Sequence, residues 1–223
     1  MLVPINRLPV ELLVAIFKDV VSFLASPPAL ESLPGAYFNS QHMLMLMHVC
    51  SMWRDVTVGY APFWSHVDLD NSPQSVETSL RRSSSSPLAF HLALDKPNLG
   101  QKLEFLRENS AWARALYVKC GGIDSESPLI GVLEQSYYTP PRIECLAVVL
   151  KRNVEVWNIL KKIVHSANSS QLKALAIEIE DTGSQPIVLP SHPFPCLTHL
   201  FLSFSNLRIW DETGNHAEPF ACF

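Results

Sequence analysis

The nearest approach in the sequence to a zinc-type ligand cluster is His192, Cys196 and His199, spaced H-x3-C-x2-H. Zinc takes nitrogen and thiolate ligands in sets of four, and Cys222, the next cysteine, stands far along the tail. His199 falls at an outward position of an alternating strand and Cys196 just before it, so loop and surface residues are expected rather than a metal site. Asp95, Glu178, Glu180 and Asp181 lie near strand ends but lack the paired spacing of general acid–base chemistry, and read as a solvated loop edge. No G-x-S-x-G, P-loop, G-x-G-x-x-G or H-E-x-x-H pattern occurs. The expectation is a non-enzyme with no cofactor and no metal. One further grouping remains: Arg81-Arg82 followed by the run Ser83 to Ser86. It reads as a flexible turn or as an acceptor for a kinase directed by basic residues.

The elements that must position these residues are bounded first by composition. With 223 residues, 48% hydrophobic and 17% charged, the chain has a core to bury and is not disordered over its length. A net charge of -4 gives no global pull toward nucleic acid or an anionic membrane. The basic pairs Arg81-Arg82, Lys151-Arg152 and Lys161-Lys162 are isolated and read as solvated helix faces. Five widely spread cysteines, an odd number, read as reduced thiols in an intracellular protein. The apolar stretch from Val10 to Ala25 is interrupted by Glu11, Lys18 and Asp19, which argues against a signal peptide and a membrane span. A cytoplasmic or nuclear location is expected.

Helical spacing of Leu12, Leu13, Ile16, Phe17, Val20 and Leu24 predicts a first helix from Pro9 to about Leu24, with Pro9 at its first position. Val14, Ala15, Val21 and Phe23 widen the apolar stripe over much of the circumference, so the helix needs cover on more than one side. Residues 26–40 read as a loop. A methionine-rich second helix is predicted from about Gln41 to Val58, broken by Gly59 and Pro62 before a Val67-x-Leu69 strand. Beyond residue 72, helical stretches alternate with the short apolar strands 88–94, 115–119, 143–150, 172–179 and 197–202. Aligning Leu92, Leu116, Leu146, Leu175 and Leu200 gives intervals of 24, 30, 29 and 25 residues. That period predicts an irregular leucine-rich-repeat-like strand/helix solenoid with a parallel sheet. Tyr117, Lys119, Glu178 and His199 alternate with core positions and are candidates for its exposed surface. Residues 203–223 begin another unit without a polar capping repeat, so the solenoid is expected to be incomplete at its C-terminus.

Three blocks in order, Leu8-Pro9-x-Glu11-Leu12-Leu13-x-x-Ile16-Phe17, Val49-Cys50-x-x-Trp53-Arg54 and Pro62-Phe63-Trp64, resemble the F-box family. The resemblance covers roughly the first 65 residues, and loop 26–40 lengthens the family's usual gap between the first two blocks. Large fungal F-box families with such insertions and irregular leucine-rich units are the most similar. The resemblance implies an F-box-like helical module over residues 1–70 and a leucine-rich-repeat-like solenoid over 71–223. It also implies a Skp-type adaptor as partner, through it a cullin, and a protein substrate of unknown identity; neither nucleic acid nor membrane is expected as a partner. Leu8, Pro9, Leu12, Leu13, Ile16 and Phe17 match the family's adaptor-contact block. Val49, Cys50 and Trp53 are expected to mix module core with adaptor contact, and Arg54 to lie over Trp53 or pair with an adaptor acid. The implied function is substrate receptor of an SCF-type (Skp–cullin–F-box) ubiquitin ligase. The alternative is a non-catalytic leucine-rich-like interaction or structural protein whose degenerate F-box no longer binds the adaptor.

Overall fold

A computed structural model of the chain describes residues 7–23, 40–94, 97–120, 143–150, 171–179, 187–188, 195–204 and 209–210. Helix α1 spans Val10–Phe23. The Pro9 carbonyl accepts from the N–H groups of Leu12 and Leu13, both at 3.1 Å, so Pro9 stands just before the helix rather than at its first position. Glu11 lies in the first turn, near the positive end of the helix. All of the expected loop 26–40 lies outside the described residues except Ser40, which opens the next helix.

The single helix expected from Gln41 to Val58 is two, α2 at Ser40–Met47 and α3 at Ser51–Gly59. Its break falls at Cys50, whose backbone is extended at φ -161° and ψ 173°. Before it, His48 N–H donates to Met45 C=O and Val49 N–H to Leu46 C=O, the tighter bonds that close a helix. The Arg54 Nε then donates to the Met47 carbonyl at 3.2 Å, tying the end of α2 to α3. After α3 comes a 3-10 turn at Ala61–Trp64, with Pro62 in its first turn where a missing N–H costs nothing. The Trp64 indole N–H donates to the buried Thr57 carbonyl at 2.9 Å. Leu13, Phe17, Val21, Met43, Leu46, Val56, Phe63 and Trp64 make one buried cluster, so these helices share a core of their own.

The sheet begins at His66, inside the range expected for the helical module. Strand β1 (His66–Asp68) leads to α4 (Pro73–Ser83), β2 (Leu88–Ala93), α5 (Leu99–Glu108), a 3-10 turn at Ser110–Trp112 and β3 (Ala113–Cys120). Strands β4 (Cys145–Leu150), β5 (Ala174–Ile179), β6 (Ile187–Val188), β7 (His199–Phe204) and β8 (Ile209–Trp210) follow. Six of them form one parallel sheet in the order β1-β2-β3-β4-β5-β7, each strand added to the same edge. The helical stretches expected between strands 115–119 and 143–150 and between 143–150 and 172–179 lie outside the described residues. A separate parallel pair, β6 with β8, was not legible in the pattern of residues 203–223.

Register makes the sheet two-faced. Val67, Phe90, Leu116, Leu146, Leu175 and Leu200 stand side by side across it. Leu92, aligned with these leucines from the repeat spacing, instead pairs with Val118, and Phe90 holds its place. A two-residue shift keeps a side chain on the same face, so the error in position left the predicted core face intact. Leu80, Leu99, Leu103, Phe105 and Leu106, from α4 and α5, pack on this aliphatic face. The opposite face is floored by Ala89, Ala115, Cys145, Ala147, Ala174 and Ala176, all buried. Burial on both faces is the ordinary condition of a parallel sheet.

Candidate functional site

Helix α1 carries two apolar rows a single residue apart. Leu13, Phe17 and Val21 recur at i, i+4 and i+8 and are fully buried in the helical core. Leu12, Ile16 and Val20 recur with the same spacing and remain 52%, 36% and 41% exposed. Successive residues point about 100° apart around a helix, so the second row looks sideways out of the cluster that the first row fills. Val10, Leu44, Met45 and Val49 are exposed as well, on α1 and along or just after α2. Scattered apolar residues on a surface are ordinary, whereas Leu12, Ile16 and Val20 make an unbroken i/i+4 row beside a core row.

The ten residues expected at an adaptor contact, six of them in the family's contact block, divide accordingly. Leu13 and Phe17 are spent on the chain's own core. Leu8 is half-buried against that core. Pro9, Leu12, Ile16, Val49 and Arg54 are exposed, and Cys50 and Trp53 are half-buried. The Trp53 ring packs on Phe17, centroids 4.6 Å apart at 54°, and its buried indole N–H has no hydrogen-bond partner among the described residues. The Nε of Arg54, expected over Trp53 or on an adaptor acid, caps α2. Reading the sequence for the family's block missed Val20 and Met45. The i+4 continuation from Leu12 and Ile16 was the available signal for Val20, and Met45 had none.

The alanine-floored face of the sheet holds a second grouping. His66 and His91 share a hydrogen bond between Nδ1 and Nε2 at 3.2 Å, across β1 and β2. The Tyr117 ring stacks on His91 with centroids 4.4 Å apart at 17°. Burial, then the neighbouring His66, pushes the His91 imidazole well below its ordinary value and keeps it neutral. Burial also pushes the Cys145 thiol up to about 11, against the opposing effect of a hydrogen bond from Tyr117. A nucleophilic cysteine needs the reverse shift, so this thiol stays protonated and inert at neutral pH. Burial raises the carboxyl of Asp68 too.

The four residues singled out for a target surface share this face. Lys119 and His199 are exposed, and Tyr117 and Glu178 are half-buried. Cys196 is exposed and unoxidised, while His192, Asp95, Glu180, Asp181 and Cys222 lie outside the described residues. Among the described residues no cluster of three or more His, Cys, Asp or Glu side chains is arranged to hold a metal.

On the other side of the sheet, a cavity of about 600 Å³ opens between α4 and α5, lined by Leu69, Val76, Leu80 and Phe105. Its two central charges, Asp70 and Lys102, are paired with each other, and Asp70 also accepts from the Ala93 N–H at 3.2 Å. Charges so occupied brace the cavity wall.

No family model matches this sequence. Nor does any curated protein match it. No helix among the described residues is long and apolar enough to cross a membrane.

Proposed function

We propose that the helical module is a docking element for a Skp-type adaptor and that the chain is the substrate receptor of an SCF-type ubiquitin ligase. In this reading the three helices are an F-box-like module, and the sheet with its helices is a leucine-rich-repeat-like solenoid facing a target protein. The observation that carries the reading is the exposed row Leu12, Ile16 and Val20, lying beside a core row that is already filled. About half of each side chain is open, so covering the row contributes roughly 1 kcal/mol per residue, and Val49 and Met45 extend what a partner would cover. The strictly sequential strand order supports the solenoid reading, since each unit then packs only on its neighbours.

A second reading has its own support. Leu13 and Phe17, two residues of the expected contact block, have no exposed surface, and the module closes a core without help. That suits a self-contained helical cap on an interaction protein. Co-expression with a Skp adaptor followed by pull-down separates the two. The adaptor is expected to be retained by the wild-type chain and lost with Leu12→Asp/Ile16→Asp. Equal retention of both, or a wild-type chain that is monomeric and binds no adaptor, establishes the cap instead.

A further inference from the structure

We propose that Ser84 is a phosphorylation site for a serine kinase that reads upstream arginines, and that a phosphate there releases α4 from Trp64. The inference is independent of adaptor binding. It starts from the sequence Arg81-Arg82-Ser83-Ser84-Ser85-Ser86, which the structure divides sharply. Ser83 is buried, and its hydroxyl donates to the Leu80 carbonyl at 2.8 Å, so it is closed to an enzyme. Ser84 is exposed, with the two arginines three and two residues before it. An acidic kinase cleft takes such a pair through charge-assisted hydrogen bonds.

Backbone strain favours the same residue. Ser84 follows the last helical residue at φ 52° and ψ -119°, a region that side chains other than glycine enter at a cost. Opening the turn into the extended form a kinase binds relieves that strain, so the segment is poised to unwind at its most basic point.

The consequence lies at Arg82. Its guanidinium sits 4.3 Å over the Trp64 ring, joining the end of α4 to the 3-10 turn that closes the helical module. In the transfer, the Ser84 Oγ forms a bond to the γ-phosphorus of ATP as the bond to ADP breaks, and the hydroxyl proton passes to the kinase base. The product carries nearly two negative charges at a helix C-terminus, where the last carbonyls already oppose them. Arg81 and Arg82, three and two residues away, are nearby cations that relieve this, and Arg82 leaves the indole face to share the phosphate with Arg81.

The test uses the full chain, ATP and the catalytic subunit of an arginine-directed serine kinase, with the site read by mass spectrometry. One phosphate on Ser84 is expected. Arg81→Ala, a change at an exposed residue away from Trp64, should slow incorporation roughly tenfold. Ser84→Gly suits the positive φ, stays folded and should take no phosphate. Incorporation at Ser85 or Ser86 instead, none at all, or a rate unchanged in Arg81→Ala overturns the site. For the release, Ser84→Glu and Arg82→Ala should each lower Tm, and together by less than their sum. Additive losses overturn it.

Discussion

The helical module and the sheet solve the same problem differently. Each must hide apolar rows that face two ways. The sheet buries most of its apolar rows, with Phe90, Leu116, Leu146 and Leu175 on one side and Ala147, Ala174 and Ala176 on the other, and leaves Leu200 on β7 54% exposed. The module buries Leu13, Phe17 and Val21 but leaves Leu12, Ile16 and Val20 about a third to a half exposed. A strand points its side chains to opposite faces, and alanines leave little apolar surface to hide on one of them. A helix fans its side chains around a cylinder, and among the described residues α2, α3 and the 3-10 turn do not reach all the way round α1. The longer exposed apolar row in the module is why the module, rather than the sheet, is the candidate adaptor-docking element.

That contrast can be broken most directly in the sheet. Phe90→Ala removes a fully buried ring that meets Phe105 edge-on at 6.3 Å, and should cost about 3–5 kcal/mol in denaturant unfolding. A loss under about 1 kcal/mol would mean that the aliphatic face is not closely packed. Next, Ala176→Leu overfills the alanine floor and should cost about 1–3 kcal/mol. A neutral result would show that this face has room and is as open as the module's flank.

Smaller is the effect of pH. The folded chain holds His91 neutral, with His66 and Tyr117 against it, Asp68 beside it in register and Cys145 bonded to Tyr117. An unfolded imidazole titrates near 6.5 and takes up a proton that the fold refuses. The stability from His91 is therefore complete above that pH and is lost as pH falls toward the lower folded value. Asp68, its pKa raised, has the opposite sign and acts in the more acidic carboxylate range. Melting temperature should thus fall between pH 7 and 5 in the wild type and less in His91→Gln. Parallel profiles would remove the histidine from the account.

The smallest change in stability is expected where the functional effect is largest. Ile16→Asp should cost about 1 kcal/mol, well below Phe90→Ala, because 36% of the residue is already exposed. A loss comparable to that of Phe90→Ala would place the second row in the core and end its candidacy as a docking surface.

Much of the sheet was legible because a strand's side-chain period is two. Val67, Leu116, Leu146 and Leu175 reached the right face even though Leu92 was aligned two residues off. The candidate site was legible as a set of apolar positions but not as a division among them. Nothing in the residue types separates Leu12 from Leu13, or Ile16 from Phe17, since each pair is apolar and one residue apart. The break between α2 and α3 was hidden for a related reason. Helical periodicity runs on through His48, Val49 and Cys50, and only the extended backbone at Cys50 and the Arg54 cap divide it.

The sequence by itself determined the parallel strands, the excess of apolar surface on the first helix and the basic serine turn, because these follow from local period and composition. Tertiary structure alone decided which row of α1 is core, that Arg54 closes α2, that Arg82 rests on Trp64, and that His66, His91 and Tyr117 meet. Each of those joins residues through a helix crossing or a strand register, and such contacts depend on distances that no local pattern encodes.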